Sequence, residues 1–198
     1  MSKVTQSYPG IKFEYDGKGR IVSERWLTND GILHRAYGAA LRIFDWDKQT
    51  ITEERHRFGE HRNDDQPFRT IFSMATGRPI FKGWTNGINY HRNDDCPAII
   101  EYCLRSGEFS KFVYMKNGLV HREDDQPALI IFSQKTNTLI SRTWYQNGLI
   151  HRENKLHAKE IYDPPSENDP KLEYWENGQQ ISLSEKTISK PYRIRYNL

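Results

Sequence analysis

Apolar residues along this chain fall into short runs that recur at a fixed interval, each set off by polar turn residues. The clearest are Phe68 to Ser73, Ala98 to Cys103 and Ala128 to Ser133, all of strand length. A loose turn carrying Gly or Asn follows each one: Ala75-Thr76-Gly77-Arg78, Arg105-Ser106-Gly107-Glu108 and Lys135-Thr136-Asn137-Thr138. A second strand then leads into Asn-Gly at 86–87, 117–118, 147–148 and 177–178. Asn-Gly is a strong hairpin signal, because both central residues of a type I′ turn need positive φ. Asn29-Asp30-Gly31 holds the same place in an early copy, and Phe58-Gly59-Glu60 is a degenerate version.

His-Arg follows at 34–35, 61–62, 91–92, 121–122 and 151–152, so the His positions step by 27, 30, 30 and 30. Asp-Asp-x-Pro comes next, at 64–67, 94–97 and 124–127. Proline fixes φ and removes a donor, which suits the start of a strand better than its middle. The predicted unit is strand, loose turn, strand, Asn-Gly turn, a short strand carrying His-Arg, and an acidic turn. A period of this length marks a repeat array. The expected fold is all-β, a meander of short antiparallel strands.

Aromatic residues keep the same phase. Phe44, Phe72, Tyr102, Phe132 and Tyr162 form one series; Trp26, Trp84, Tyr114, Trp144 and Trp175 form another, which Arg55 interrupts. Stacked in a sheet, the two series are expected to supply most of the burial, at roughly 1.5–3 kcal/mol per large apolar side chain. One repeat domain over 1–198 is expected, with an N-terminal copy or cap (1–25), central repeats of about 30 residues (26–160), and a degenerate C-terminal copy or cap (161–198).

Composition agrees with a thin fold. The hydrophobic fraction is 36% and mean hydropathy is −0.86, yet aromatics reach 13%, too many for a disordered chain of this polarity. Net charge is +3 with a pI near 8.8, far from the clustered excess of a dedicated nucleic-acid binder. The exception is the stretch from Lys186 to Leu198, which has basic residues and no acid. Its segment Pro191-Tyr192-Arg193-Ile194-Arg195-Tyr196 alternates in a one-faced strand pattern. Cys96 and Cys103 follow neither the period nor a metal spacing and read as reduced thiols. With no signal-like or membrane-length apolar stretch, a cytoplasmic location is expected, in the chain's own cell or a host's.

The recurring polar cluster invites a catalytic or metal-binding reading, and spacing argues against both. With two or three strands per unit, equivalent histidines would stand about 10–14 Å apart, too far to share one ion. A catalytic group is normally unique, whereas most of these residues occur in several copies. The residues His34, Arg35, His61, Arg62, His91, Arg92, His121, Arg122, His151, Arg152, Asp64, Asp94 and Asp124 are therefore read as structural. Arg is expected to pair with an Asp of its own turn or of the adjacent copy, giving a ladder of ion pairs. The non-periodic His56 and His157 have no recognisable partner. The sequence thus assigns no catalytic residue, metal ligand or cofactor.

The pattern Trp/Tyr-x-x-Asn-Gly-x-x-His-Arg-x-x-Asp-x-Pro-Ala-x-Ile resembles short repeats of large DNA viruses, bacteriophages and some bacteria, distantly similar to MORN-type β-hairpin repeats. The match covers roughly residues 8–180 and is specific in the copies ending at His91, His121 and His151. It departs around Arg55 to His61 and in the turn Ala36-Tyr37-Gly38. The resemblance implies an elongated MORN-like β-meander or solenoid used for binding, and no shared activity. It also implies an accessory factor that binds and inhibits a host protein, such as a defence component. Side chains that break the repeat are the expected binding residues: Arg78, Tyr90 and Phe109, with Tyr192, Arg193, Arg195 and Tyr196 of the C-terminal strand. The alternative is nucleic-acid or nucleotide binding through that basic, aromatic strand.

Overall fold

The computed structural model describes residues 4–61, 65–162 and 170–182, and every regular element in them is a β-strand. Fourteen strands form one antiparallel sheet. Its order is β1 (Val4–Tyr8), β2 (Ile11–Tyr15), β3 (Ile21–Trp26), β4 (Leu41–Asp45), β5 (Thr50–Glu54), β8 (Arg69–Ser73), β9 (Pro79–Gly83), β10 (Ile99–Tyr102), β11 (Phe109–Val113), β14 (Leu129–Phe132), β15 (Leu139–Thr143), β18 (Lys159–Ile161), β19 (Lys171–Glu176) and β20 (Gln179–Ile181). Three two-stranded hairpins stand apart from it: β6 (His56–Arg57) with β7 (Glu60–His61), β12 (Met115–Lys116) with β13 (Leu119–Val120), and β16 (Tyr145–Gln146) with β17 (Leu149–Ile150). Single bridges, Leu27 to Leu33 and Thr85 to Tyr90, mark the corresponding hairpins of two other copies. The chain is an all-β array of short antiparallel strands, as the period predicts.

The hairpins differ from expectation. The long strand does not run on into the Asn-Gly turn, and His-Arg follows the short strand in the regular copies. The aromatic residue between them is a pivot. Trp144 donates its N–H to the Ala158 carbonyl of the neighbouring strand, while its own carbonyl accepts the N–H of His151. Tyr114 does the same with Ala128 and His121, and Trp84 with Ala98 and His91. One residue thus serves two ladders, and the chain leaves the main sheet there.

Turn chemistry explains the rest of the consensus. Asn117-Gly118, Asn147-Gly148 and Asn177-Gly178 have paired positive φ, as a type I′ turn requires. In the third copy the turn shifts by one residue: Asn86 N–H bonds the Asn89 carbonyl, so Gly87 and Ile88 form the centre. The acidic pairs also adopt left-handed backbone, with φ of 59° and 50° at Asp94 and Asp95 and of 57° and 54° at Asp124 and Asp125. Asp tolerates that region better than most residues.

Burial is distributed differently from the aromatic series. The most shielded residues are small: Ala40, Ala98, Ala128 and Ala158 are all 0% exposed, and no large side chain falls below 2%. Trp84, Trp144 and Tyr162 are buried, but Trp26, Tyr114, Trp175, Phe44, Phe72, Tyr102 and Phe132 are half-buried. A single sheet has little interior, so only a few rings are shielded and the deepest positions fall to the alanines opposite the pivot residues.

Candidate functional site

The periodic Arg joins consecutive copies. Arg122 stacks 3.7 Å from the Tyr114 ring centroid and donates through Nη1 to the Pro127 carbonyl at 3.2 Å. Its Nε and Nη2 reach both carboxylate oxygens of Asp95, in the preceding acidic turn, at 2.7 Å each. Arg152 repeats this arrangement with Trp144, the His157 carbonyl and Asp125. Arg92 stacks on Trp84 and Arg35 on Trp26, each donating to a carbonyl of its own turn, Pro97 and Ala39. In the Arg122 and Arg152 joints the acid comes from the adjacent copy, and it is the second Asp of the pair, Asp95 or Asp125, rather than Asp94 or Asp124. Asp95 is held below the ordinary carboxylate range by its hydrogen bond from Arg122, against the opposing effect of burial.

Histidine makes a second joint. The backbone N–H of Asn117, Asn147 and Asn177 donates to Nδ1 of His91, His121 and His151 at 3.1–3.2 Å, and Phe58 N–H does so to His34. A ring nitrogen that accepts an amide proton carries none, so the proton of the neutral ring sits on Nε2. There it faces Asn93, Glu123 or Glu153, at 2.8–3.1 Å. Beside each such contact, Gly118, Gly148, Gly178 and Gly59 donate to the carbonyls of Tyr90, Val120, Ile150 and Leu33. In these four pairs, successive hairpins are hydrogen-bonded edge to edge.

His61 does not belong to this series. His61 lies six positions after Arg55, whereas His91, His121 and His151 lie seven positions after Trp84, Tyr114 and Trp144. The hairpin registers show the consequence: His61 pairs with His56, as Val120 pairs with Met115 and Ile150 with Tyr145. His61 thus takes the place of Val120, and its ring lies 4.6 Å from Phe68. The one-residue shortfall was readable in the sequence but was hidden by the repeated His-Arg dipeptide.

That shift assembles a cluster the sequence reading missed. Glu54, His56 and His61 place one ligand-type atom each within 4.8 Å of one another. His56 Nε2 is 3.1 Å from Glu54 Oε2, and Arg69 donates to the other oxygen through Nε at 2.8 Å and Nη2 at 2.5 Å. The hydrogen bond from His56 and those from Arg69 outweigh burial and pull the Glu54 carboxyl down to about 2. Burial, then the neighbouring His56, lowers His61. His157 is also partnered, with Nε2 2.8 Å from Glu160 Oε1.

Of the expected binding residues, the structure describes Arg78, Tyr90 and Phe109. Tyr90 is half-buried in the third hairpin, its ring tilted against Phe68 and edge-on to Phe81. It fills space left by Gly83, whose added Cβ would come 2.7 Å from the Tyr90 ring. Sister copies carry Val113 with Val120 and Thr143 with Ile150 at these two positions. Arg78 reaches over the next loose turn to the Ser106 carbonyl. Phe109 is exposed beside Tyr102 and Phe112. Arg62, Asp64, Tyr192, Arg193, Arg195 and Tyr196 lie outside the described residues.

One exposed feature recurs at the hairpin turns, although Phe58 and Ile88 stand at the turn centre while Ile32, Leu119 and Leu149 follow it. Each of the first five hairpins carries a large apolar side chain at its turn: Ile32, Phe58, Ile88, Leu119 and Leu149, between 44% and 86% exposed. Leu119 lies over Gly148 and Leu149 over Gly178, and Ile32 reaches Gly59. Where hairpins are joined edge to edge, as from the third to the sixth, these side chains follow one another along the array. Among the described residues, no helix is long and apolar enough to cross a membrane. No family model matches the chain, and no curated protein matches it.

Proposed function

We propose that this chain is a non-catalytic binding module that recognises another protein along its row of hairpin tips. The carrying observation is the exposed row Ile32, Phe58, Ile88, Leu119 and Leu149. Solvent-facing turns rarely hold one large apolar residue per copy, and apolar rows rimmed by polar groups mark interaction surfaces. The rim here is polar: Asn86, Asn117, Lys116 and Glu123 flank the tips and bond among themselves. Repeat arrays use such extended surfaces for recognition.

Taken with the resemblance to repeats of large DNA viruses and phages, the role proposed is an accessory factor that binds and inhibits a host protein in the cytoplasm. That step rests on analogy between repeats. The test is retention of proteins from native or infected cells by the immobilised full chain, compared with Leu119→Glu/Leu149→Glu. Loss of the retained protein, with unfolding unchanged, supports the reading. Equal retention by both overturns it, as does a salt-sensitive shift of an oligonucleotide without any retained protein.

A further inference from the structure

We propose that Glu54, His56 and His61 form a binding site for a divalent transition-metal ion of the zinc class. The three residues are the imidazole and carboxylate donors such ions take. Their placement follows from local geometry. Glu54 ends β5 and His56 begins β6 two residues on, and the turn at Phe58-Gly59 returns His61 directly opposite His56. The three ligand atoms lie within 4.8 Å of one another. A four-coordinate ion with bonds of about 2.0–2.2 Å holds its ligands roughly 3.3 Å apart. Binding would draw the three atoms together by up to about 1.5 Å. Glu54 and His56 are buried, while His61 is half-buried and leaves a side open to solvent for a fourth, water ligand.

The contacts around the three groups suit ligation. His56 Nδ1 lies 3.3 Å from the Gly59 carbonyl, and Arg69 holds Oε1 of Glu54. Ligating histidines donate their other N–H to a carbonyl or carboxylate, and ligating carboxylates are themselves hydrogen-bonded. A neutral imidazole has one N–H to give. If Nδ1–H goes to Gly59, the lone pair of Nε2 faces Glu54 Oε2 at 3.1 Å. In the ion-free protein Nε2–H instead donates to that oxygen, and an ion bound against both atoms would take that proton's place.

The site is also confined to one copy. At the position of Glu54 the sister copies have Gly83, Val113 and Thr143; at that of His56 they have Thr85, Met115 and Tyr145; at that of His61 they have Tyr90, Val120 and Ile150. Three departures from the repeat therefore meet at one point. Arg55, moreover, stands where Trp84, Tyr114 and Trp144 carry the stacked arginine. The ion would tie β5 to its hairpin in the copy that lacks that ring.

The test is zinc titration of the full chain, freed of any histidine tag, by calorimetry, together with cobalt(II) absorption and thermal unfolding. His61→Val and Glu54→Val install the residue types of a sister copy at their positions, so they serve as foldable variants; His91→Gln is the control. One zinc per chain is expected, with a tetrahedral-type cobalt band and a metal-dependent rise in Tm, all retained by His91→Gln. His61→Val and Glu54→Val should weaken binding at least 100-fold and lose the Tm response. Absence of stoichiometric zinc, or equal binding by folded His61→Val, overturns the site.

Discussion

Arg122 and Asp95 belong to different copies of the repeat, yet two nitrogens of one meet both oxygens of the other at 2.7 Å. The same guanidinium lies over Tyr114 and bonds the Pro127 carbonyl. One side chain thus links an aromatic, its own turn and its neighbour's turn, and Arg152 repeats the linkage one copy later.

Removal of the two partners should therefore be unequal. Asp95 is largely exposed, and Asp95→Ala should cost about 1 kcal/mol or less, as exposed ion pairs do. Arg122→Ala also loses a stacked cation and a carbonyl bond, and should cost about 2–3 kcal/mol. Denaturant unfolding of both single variants and the double variant would show a coupling of roughly 0.5–1 kcal/mol. Additive effects would mean that the pair is not coupled.

The histidine joint predicts a local effect. His121→Ala leaves the Asn147 N–H without the ring nitrogen it bonds at 3.2 Å. Hydrogen exchange of the Asn147 amide should quicken, while the Asn177 amide, which bonds His151, keeps its protection. The global cost should be about 1–2 kcal/mol.

Gly83 and Tyr90 act as a compensating pair. A side chain at 83 would collide with the Tyr90 ring, so Gly83→Val alone should cost about 1–3 kcal/mol. Gly83→Val/Tyr90→Val restores the combination found at Val113 and Val120 and should recover most of that loss. If the double variant is as unstable as the sum of the singles, packing does not explain Tyr90.

Acid sensitivity should come partly from Glu160. Burial raises its carboxyl, but hydrogen bonds from His157 and Tyr162 and the charge of Arg142 outweigh this and lower it below 4.5. A carboxyl depressed in the folded state contributes stability at pH values above its unfolded value and loses it as pH falls through the folded one. Stability should thus decline below about pH 4.5, and Glu160→Gln should flatten that decline in Tm measured across pH.

Much of this architecture is legible from spacing. The Asn-Gly turns, the strands after Asp-Asp-x-Pro and the Arg–Asp ladder all follow from turn chemistry and charge pairing repeated at 30 residues. What the sequence hides is register. The dipeptide His61-Arg62 looks like its sisters, but it comes one residue earlier in its copy, which puts His61 in the place of Val120 and opposite His56. Likewise Asp95, not Asp94, receives Arg122, because consecutive left-handed residues aim their side chains differently. The departure of the hairpins from the main sheet depends on a single pivot residue, which no alternation pattern marks.

The central claim is that the repeat motif holds the array together while the hairpin tips recognise a partner. Its most direct test measures Tm and retained cellular protein side by side, for Arg122→Ala and for Leu119→Glu/Leu149→Glu. The account predicts that Arg122→Ala lowers Tm and keeps the retained protein, whereas the tip variant keeps Tm and loses it. An Arg122→Ala chain with unchanged Tm and no retained protein would contradict the account, placing recognition on the motif itself.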